Sequence, residues 1–311
     1  MKILITGSAG FLGTHLTREL LKLGHQVTGV DDFTTGSMNN LIEFKSNPNY
    51  EFFSHDIRNP LNMAVDVIFN LACPASPIHY QADPVKTIET NFLGMFNVLQ
   101  LANKQGARVI QASTSEVYGD PKVSPQTESY WGNVNPIGPR SCYDEGKRAA
   151  ETLCFDYKRQ FGTDVRVVRI FNTYGPSMAV NDGRVVSNFI IQALTSKPLT
   201  IFGEGKQTRS FCYVTDLIRG LIGIALLPKT IDTPVNIGNP NEFTMIELAE
   251  HVLKLTKSSS PLLFKELPKD DPLQRRPDIS RIQDLISWEP TIEITKGIEL
   301  TIDYFRGLKL S

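Results

Sequence analysis

The stretch KILITGSAGFLG, residues 2–13, joins an apolar run to the start of a helical pattern through three glycines. The run KILIT predicts a buried β-strand because it is short, apolar and rich in β-branched residues. The helical spacing that follows is carried by Phe11, Leu12, Leu16, Leu20 and Leu23. A second β-type run, QVTGV at 26–30, comes next. Residues 2–30 therefore predict one βαβ unit.

Further β-type runs alternate with helical patterns through the first half of the chain, which predicts a parallel sheet. The runs lie at 50–53, 66–72, 108–113 and 165–170, and the long helical patterns at 84–105 and 142–161. We predict an α/β fold: a Rossmann-type doubly wound parallel sheet over residues 1–172, with a smaller C-terminal α/β substrate-binding lobe over 173–311. The boundary is soft because strands of the lobe can return to the first sheet.

The composition is that of a globular protein, with 41% hydrophobic and 21% charged residues among 311. The 32 Lys and Arg nearly balance the 33 Asp and Glu, so the net charge of -1 favours neither nucleic acid nor an anionic membrane as partner. The four cysteines lack metal-ligand or disulfide spacing. MKILITG does not continue into a secretory signal, and no apolar run has the length of a membrane span. We expect a cytoplasmic protein without a metal.

The glycine-rich loop predicts a dinucleotide site, because it lies between a strand and a helix where the backbone must approach a pyrophosphate. The residues that we assign to it are Gly7, Gly10, Phe11, Leu12 and Gly13. The spacing G-x-x-G-x-x-G is wider than G-x-G-x-x-G and points toward short-chain dehydrogenase-like proteins. The alternative is a turn that serves only strand-to-helix packing.

Asp31 and Asp32 end the second β-type run, where a carboxylate can accept the ribose hydroxyls of an adenosine. A 2′-phosphate would be repelled there, and residues 31–37 contain no arginine to bind one, so we predict NAD rather than NADP. The alternative for Asp31 is a turn cap. Topology alone places Asp56 and Ile57 by the adenine, and Leu71 and Ala72 by the pyrophosphate.

Tyr143 and Lys147 lie four residues apart on a predicted helix, so their side chains share one face. We expect Lys147, together with a positively charged nicotinamide, to lower the pKa of the phenol so that Tyr143 is a base near neutral pH. Lys147 can also hold the nicotinamide ribose. Thr114 ends the fifth β-type run and can share a proton with Tyr143 and a substrate hydroxyl.

Long segments resemble the extended short-chain dehydrogenase/reductases that act on nucleotide sugars, and above all those that decarboxylate UDP-glucuronate. These segments are STSEVYGDP (113–121), NPIGPRSCYDEGKR (135–148), RIFNTYGP (169–176), NDGRVVSNFI (181–190), 207–214 and RRPDI (275–279). The resemblance covers nearly the whole chain. Cys73, Cys142 and Asp32 depart from the family pattern within matching segments.

The resemblance implies that UDP-glucuronate is oxidised at C4, loses carbon dioxide and is reduced to UDP-xylose, with NADH recycled in one turnover. It implies that Tyr143 is the base, that Lys147 is its electrostatic partner, and that Thr114, Ser115 and Glu116 surround the sugar. Glu116 would orient the sugar or relay a proton near C5; the alternative is a strand-end carboxylate satisfied by backbone amides.

The resemblance also implies a substrate site and a dimer. Lys86 would contact the uronate carboxylate. The diphosphate would be bound by Arg184, Arg209, Arg275, Asn172 and Asn188, with Tyr213, Phe202 and Arg276 as further contacts to base, sugar or phosphate. Helices 84–105 and 142–161 would pair with those of a second copy as a four-helix bundle, which makes a homodimer.

Three alternatives share part of this pattern. A nucleotide-glucose 4,6-dehydratase needs an acid for the C6 hydroxyl, which that family supplies by an Asp–Glu pair where this chain has Ser115-Glu116; serine is too weak an acid. A 4-epimerase uses the same Thr, Tyr and Lys. A regulator that only senses NAD would not need both Tyr143 and Lys147, and both are present.

Overall fold

The computed structural model describes residues 1–268, 270, 272 and 274–308. Its strands are β1 (Lys2–Thr6), β2 (Gln26–Asp31), β3 (Tyr50–Ser54), β4 (Val67–Asn70), β5 (Arg108–Thr114), β6 (Val165–Ile170), β7 (Thr173–Tyr174), β8 (Leu199–Phe202), β9 (Thr208–Ser210), β10 (Cys212–Tyr213), β11 (Val235–Ile237), β12 (Glu242–Thr244), β13 (Leu262–Lys265) and β14 (Gln274–Arg275). Its α-helices are α1 (Phe11–Lys22), α2 (Pro77–Tyr80), α3 (Pro84–Glu89), α4 (Met95–Gln105), α5 (Ser141–Phe161), α6 (Val185–Leu194), α7 (Val214–Leu226), α8 (Met245–Thr256), α9 (Ser280–Ile286) and α10 (Ile294–Arg306). Two 3₁₀-helices, Met38–Phe44 and Ser115–Tyr118, and a π-helical turn, Thr90–Gly94, complete the named elements.

Seven parallel strands form the main sheet, in the order β11-β6-β5-β4-β1-β2-β3. The predicted doubly wound Rossmann-type sheet is thereby confirmed. The winding reverses next to β1, which pairs with β2 on one side and with β4 on the other. The carboxyl ends of strands at such a reversal border the crevice in which these sheets bind ligands.

Alternating side chains of β1 explain why both faces of the sheet are covered. Ile3 and Ile5 point to one face and join the core formed with α1 and α7, while Leu4 joins the core formed with α4 and α5 on the other. All three side chains are buried. A strand that is apolar on both sides requires helices on both faces, as the sequence predicts.

The helical pattern at 84–105 forms three pieces, α3, the π-helical turn Thr90–Gly94 and α4. Pro84 occupies the first turn, and Asp83 caps it by accepting a hydrogen bond from the backbone N–H of Lys86 at 3.0 Å. The π-turn lies against α5, where a Cβ on Gly146 would come within 3.0 Å of the Asn91 amide nitrogen. One extra residue in the turn thus accompanies the close packing of this turn against α5.

The second half of the chain contributes both to a smaller lobe and to the main sheet. Short sheets β12-β9-β14, β10-β7 and β13-β8 belong to the lobe, whereas β11 pairs in parallel with β6. One continuous core includes Ile5 of β1 and Phe305 of α10. A division at residue 172 therefore stays a prediction. In the described part of the chain, we find no helix with the length and apolarity needed to cross a membrane.

Candidate active site

A cleft of about 680 Å³ opens at the carboxyl ends of the central strands. This is an ordinary volume for a small-molecule site. Among the predicted site residues, those that line it are Gly7, Gly10, Phe11, Leu12, Gly13, Asp31, Asp32, Asp56, Ile57, Leu71, Ala72, Lys86, Thr114, Ser115, Glu116, Tyr143, Lys147, Asn172 and Arg184. The fold therefore brings every predicted cofactor and catalytic residue to one place. Within the described residues no group of His, Cys, Asp and Glu could hold a metal ion.

The glycine loop leaves the start of α1 open toward this cleft. Gly7 has a φ of 69°, a conformation that glycine adopts at little cost. A Cβ on Gly13 would lie 2.3 Å from the Gly7 carbonyl oxygen, so only glycine lets the helix pack this closely on the loop. Helix α1 has no side-chain cap and no acidic residue in its first turn. Its free N–H groups and positive dipole end fit a pyrophosphate.

The carboxylate of Asp31 is both a turn cap and part of the cleft wall. It accepts hydrogen bonds from the backbone N–H groups of Ala9, at 2.9 Å, and Phe33, at 2.8 Å. Burial raises its pKa. The two alternatives stated for Asp31 are thus compatible, because a fixed carboxylate at the end of β2 is what a ribose needs.

Lys86 lies at the same end of the cleft as Asp31 and Asp32, next to the end of β2. Its ammonium group is 2.8 Å from the Asp32 carboxylate and donates a hydrogen bond to the Thr34 hydroxyl at 2.6 Å. Although burial opposes it, the hydrogen bonds from Lys86 and Thr34 lower the pKa of Asp32. The contact of Lys86 with the uronate carboxylate stays a prediction that this pairing does not support.

We expect the protein to bind NADH at least about tenfold more tightly than NADPH, because a 2′-phosphate would lie against Asp31. Fluorescence titration with the two reduced cofactors measures the ratio. Asp31→Asn should narrow it, because the charge that repels the phosphate is removed. Glu51→Gln removes a charge from neighbouring β3 and should leave the ratio unchanged. Equal binding of both cofactors would refute the role of Asp31.

Tyr143 and Lys147 project from α5 into the same part of the cleft, as their spacing predicts. The Lys147 ammonium lies 5.8 Å from the centre of the Tyr143 ring and donates a hydrogen bond to the Ala112 carbonyl at 2.8 Å. The ring of Tyr143 stacks on Tyr80 at a centroid distance of 5.0 Å. Thr114, at the end of β5, lines the cleft beside them.

The expected depression of the Tyr143 pKa is not found in the structure. Burial raises the pKa of Tyr143 well above its ordinary value, and the neighbouring Thr114 hydroxyl lowers it only in part. Burial also lowers the pKa of Lys147. In the free protein the loss of water around the phenol outweighs the charge of Lys147, and the effect of a positively charged nicotinamide, which the expectation includes, stays a prediction.

Glu116 is held by two arginines at the floor of the cleft. Arg140 donates to it at 2.7 Å, and Arg275 contacts its other oxygen at 2.8 Å. Burial alone would raise the pKa of Glu116, but the charges of Arg275 and Arg140 hold it well below the usual range. Glu116 is therefore an anion bound by side chains, not a carboxylate satisfied by backbone amides alone.

Arg275 occupies a different place from the one expected. The resemblance assigned it to the substrate diphosphate, but its guanidinium is buried against the 3₁₀-helix Ser115–Tyr118 and does not line the cleft. It donates to the Ser115 hydroxyl at 3.0 Å and to the Gly119 carbonyl at 3.0 Å. Its short contacts are with Ser115 and Glu116, which would surround the sugar, so its role as a phosphate ligand is not supported.

The remaining substrate candidates divide into two groups. Arg184 and Asn172 line the cleft, and Arg184 is paired with Asp182 at 2.5 Å and lies over the Phe11 ring. Outside the cleft lining are Asn188, Arg209, Tyr213, Phe202 and Arg276. Tyr213 is buried against Tyr174, with ring centroids 5.6 Å apart. The assignment of these five to substrate contact stays a prediction.

Sequence reasoning missed Arg140, Asp144 and Tyr80. Arg140 and Asp144 lie within the matching segment NPIGPRSCYDEGKR, where only the tyrosine and lysine were given roles. Tyr80 ends α2, a helix too short to produce a periodic signal. The signal that could have found the first two is the position of charged residues immediately around a catalytic tyrosine.

The chain is similar to known proteins over most of its length. The profile of the NAD dependent epimerase/dehydratase family matches residues 3–238. UDP-glucuronic acid decarboxylase 6 of Arabidopsis thaliana is 54% identical over 98% of this chain and 89% of its own length. UDP-glucuronic acid decarboxylase 1 of Xenopus tropicalis is 52% identical over 98% of this chain and 72% of its own length.

Solved structures show the same fold. The UDP-glucuronic acid 4-epimerase of Bacillus cereus, solved with UDP-glucuronic acid and NAD, superposes with a TM-score of 0.88 at 30% sequence identity. The match covers 98% of this chain and 99% of that one.

Proposed function

Because the chain belongs to the NAD dependent epimerase/dehydratase family, we propose that it uses NAD to convert UDP-glucuronate to UDP-xylose and carbon dioxide, without net change of the cofactor. The decarboxylases of Arabidopsis thaliana and Xenopus tropicalis, 54% and 52% identical over nearly the whole chain, support this reaction. The observation that carries the proposal is that residue 115 is a serine and not an acid. Its hydroxyl accepts a hydrogen bond from Arg275 and stands where a dehydratase needs an acid.

The oxidation at C4 would take place between Thr114, Tyr143 and Lys147. In the NAD complex Tyr143, deprotonated with the help of Lys147 and the positive nicotinamide, would accept the proton of the 4-hydroxyl group, and the Thr114 hydroxyl would orient that group by a hydrogen bond. NAD, when bound, would supply positive charge and serve as acceptor and donor of the C4 hydride. Because burial keeps the phenol protonated in the free protein, Tyr143 is also suited to return the proton when the 4-ketone is reduced.

The carboxylate would leave from the neighbouring carbon. Oxidation at C4 makes the uronate a β-keto acid, whose C5–carboxylate bond breaks as the electron pair moves into the ketone. A proton then adds at C5. Glu116, fixed as an anion by Arg140 and Arg275, borders this part of the cleft and positions the sugar.

One observation supports the alternative function of a 4-epimerase: the similar Bacillus cereus enzyme is a UDP-glucuronic acid 4-epimerase, and its structure contains the same uronate. Its sequence identity of 30% is well below the 54% of the Arabidopsis thaliana decarboxylase. An epimerase would keep the carboxylate, so the two reactions give products of different mass.

We expect UDP-glucuronate to yield UDP-xylose, while UDP-glucose and dTDP-glucose yield no 4-keto-6-deoxy sugar. Loss of a carboxylate needs no acid, whereas loss of the C6 hydroxyl needs one that Ser115 cannot supply. Mass spectrometry of the products from the three substrates measures this. Dehydration of a hexose at a rate comparable with UDP-xylose formation would contradict the decarboxylase assignment and support a dehydratase. Binding of NAD without any turnover would favour a regulatory protein.

We further propose a homodimer through a four-helix bundle. Large apolar side chains are exposed along the helices that would pair: Val85, Ile88, Phe92, Leu93, Phe96 and Phe161. Apolar side chains this closely spaced on one surface are typical of an interface. The predicted partners are thus a nucleotide sugar and a second copy of the chain.

Light scattering at micromolar concentration should give the mass of a dimer. Phe92→Asp should produce monomers, because it places a charge in the apolar interface. Ile42→Asp changes a more exposed apolar residue outside these helices and should leave the dimer intact. A monomeric parent protein would contradict the proposal.

We also propose a cytoplasmic location. All four cysteines are free thiols, and Cys154 and Cys212 are buried. A chain that folds without disulfides is compatible with a reducing compartment.

A further inference from the structure

A second carboxylate lies buried behind the catalytic tyrosine. Asp144 directly follows Tyr143 on α5 and is 6% exposed. Within the part of the chain that the structure describes, its Oδ1 atom is buried and has no hydrogen-bond partner. The hydroxyl of Tyr80, whose ring stacks on Tyr143, is also buried and has no hydrogen-bond partner among the described residues. The proposed reaction uses neither group.

The surroundings of Asp144 favour its neutral form. Burial, followed by the negative charge of Glu116, raises the pKa of Asp144 to about 8, against the opposing effect of Arg140 and Arg275. Glu145 on the same helix adds to the rise, and Tyr80 faces the cluster from α2. Two neighbouring carboxylates rarely ionise together in such a site.

The contacts decide which of the two carboxylates is neutral. Glu116 has close ion pairs with Arg140 and Arg275, at 2.7 and 2.8 Å, whereas Asp144 has a buried oxygen without a partner. Glu116 is therefore the anion. An ionised Asp144 would add a second negative charge near the end of the cleft where Glu116 meets the sugar.

We propose that Asp144 must be protonated for the cleft to bind a substrate carboxylate, so that uronate binding is coupled to a proton on this residue. The inference rests on the proposed function, since it requires that the substrate be a uronate. Asp144 does not line the cleft, so it acts as a positioning residue whose charge adds to that of Glu116 beside the substrate. A nucleotide sugar whose sugar ring carries no charge, such as UDP-xylose, would not sense it.

The direction of the pH dependence follows from the raised pKa. The uronate binds while Asp144 is neutral, and its affinity falls as the pH rises through the raised pKa of Asp144 and the carboxylate ionises. If Asp144 served only the stability of α5, as an acidic residue near a helix N-terminus can, its removal would change the melting temperature and leave the pH dependence of binding unchanged.

The test measures binding without turnover. The Tyr143→Phe protein, loaded with NAD, is titrated calorimetrically with UDP-glucuronate and with UDP-xylose at about pH 7 and about pH 9. The phenylalanine also removes the titration of the phenol. Asp144→Asn is introduced into this protein as the neutral mimic, and Glu145→Gln, at the neighbouring residue, is the control.

We expect the Kd of UDP-glucuronate to rise about tenfold between these pH values, since one pH unit above its pKa leaves about a tenth of the carboxyl protonated. With Asp144→Asn the rise should fall below about twofold, and with Glu145→Gln it should remain. The Kd of UDP-xylose should stay constant throughout. An unchanged pH dependence in the Asp144→Asn protein, or none in its parent, would overturn the inference.

A measurement that needs no change at Asp144 guards against misfolding of the variant. Calorimetry near pH 8 in buffers of different ionisation enthalpy should show more proton uptake on binding UDP-glucuronate than on binding UDP-xylose. Equal uptake would overturn the inference. A wild-type protein that makes UDP-xylose but shows no such linkage would refute only this inference, whereas absence of turnover would refute the proposed function.

Discussion

Tyr143→Phe is expected to lower kcat for UDP-xylose formation by about 10²–10⁴-fold, the usual contribution of a positioned acid or base. The phenolic oxygen alone is removed, while the ring remains stacked on Tyr80. The Kd values for NAD and UDP-glucuronate near neutral pH should therefore stay within about threefold of the parent. Single-turnover absorbance of the reduced nicotinamide together with calorimetric titration separates chemistry from binding.

Tyr157→Phe is the matched control, because Tyr157 lies on the same helix, is also mostly buried and packs on Phe161 away from the cleft. It should keep nearly full activity. If the Tyr143→Phe protein retained substantial turnover, the base would have to be another residue.

Arg275→Ala should destabilise the protein by about 3–5 kcal/mol and abolish most activity, because it removes one partner of a buried ion pair. Activity is lost because Glu116 and Ser115 no longer have the hydrogen-bond donor that holds both side chains in place. Thermal or urea unfolding measures the first effect, and steady-state kinetics the second. The effect on kcat should exceed the effect on inhibition by UDP, since Arg275 does not line the cleft.

The pH dependence of this destabilisation follows from the lowered pKa of Glu116. A carboxylate with a depressed pKa in the folded state contributes stability above its unfolded pKa and loses it as the pH falls through its folded value. The stability difference between parent and Arg275→Ala should therefore be largest near neutral pH and shrink below about pH 4.

The neighbouring arginine provides the stability control. Arg276 is half-exposed and lies 3.8 Å from Glu242, so Arg276→Ala should cost about 1 kcal/mol or less. Equal stability of the parent and the Arg275→Ala protein would contradict the buried pairing. Selective loss of affinity for UDP would instead show that Arg275 binds the diphosphate, as the resemblance implies.

Much of the fold follows from local patterns. The run VRVVRI forms β6 over the predicted residues, and the glycine-rich loop ends β1 and begins α1 where the sequence places it. Tyr143 and Lys147 meet the glycine loop in one cleft because parallel strands bring their carboxyl ends to one edge of the sheet. These features depend on periodicity, turn chemistry and chirality, which a sequence carries directly.

The charged floor of the cleft depends on tertiary packing and could not be predicted. Arg275 meets Ser115 across 160 residues of chain, and its burial is decided by the lobe that carries it. The pairing of Lys86 with Asp32 likewise joins residues far apart in the sequence, and its contact with the uronate stays a prediction. The pKa of Tyr143 reflects how deeply the ring is buried, which spacing does not report.

The most direct test of the account is turnover of UDP-glucuronate in D₂O, followed by mass spectrometry and NMR of the product and by collection of the gas. We expect carbon dioxide and UDP-xylose in equal amounts, with one deuterium at C5, the original hydrogen at C4 and no accumulation of NADH. This pattern requires loss of the carboxylate, protonation at C5 and return of the same hydride. Formation of UDP-galacturonate without carbon dioxide, or accumulation of NADH with a keto product, would contradict it.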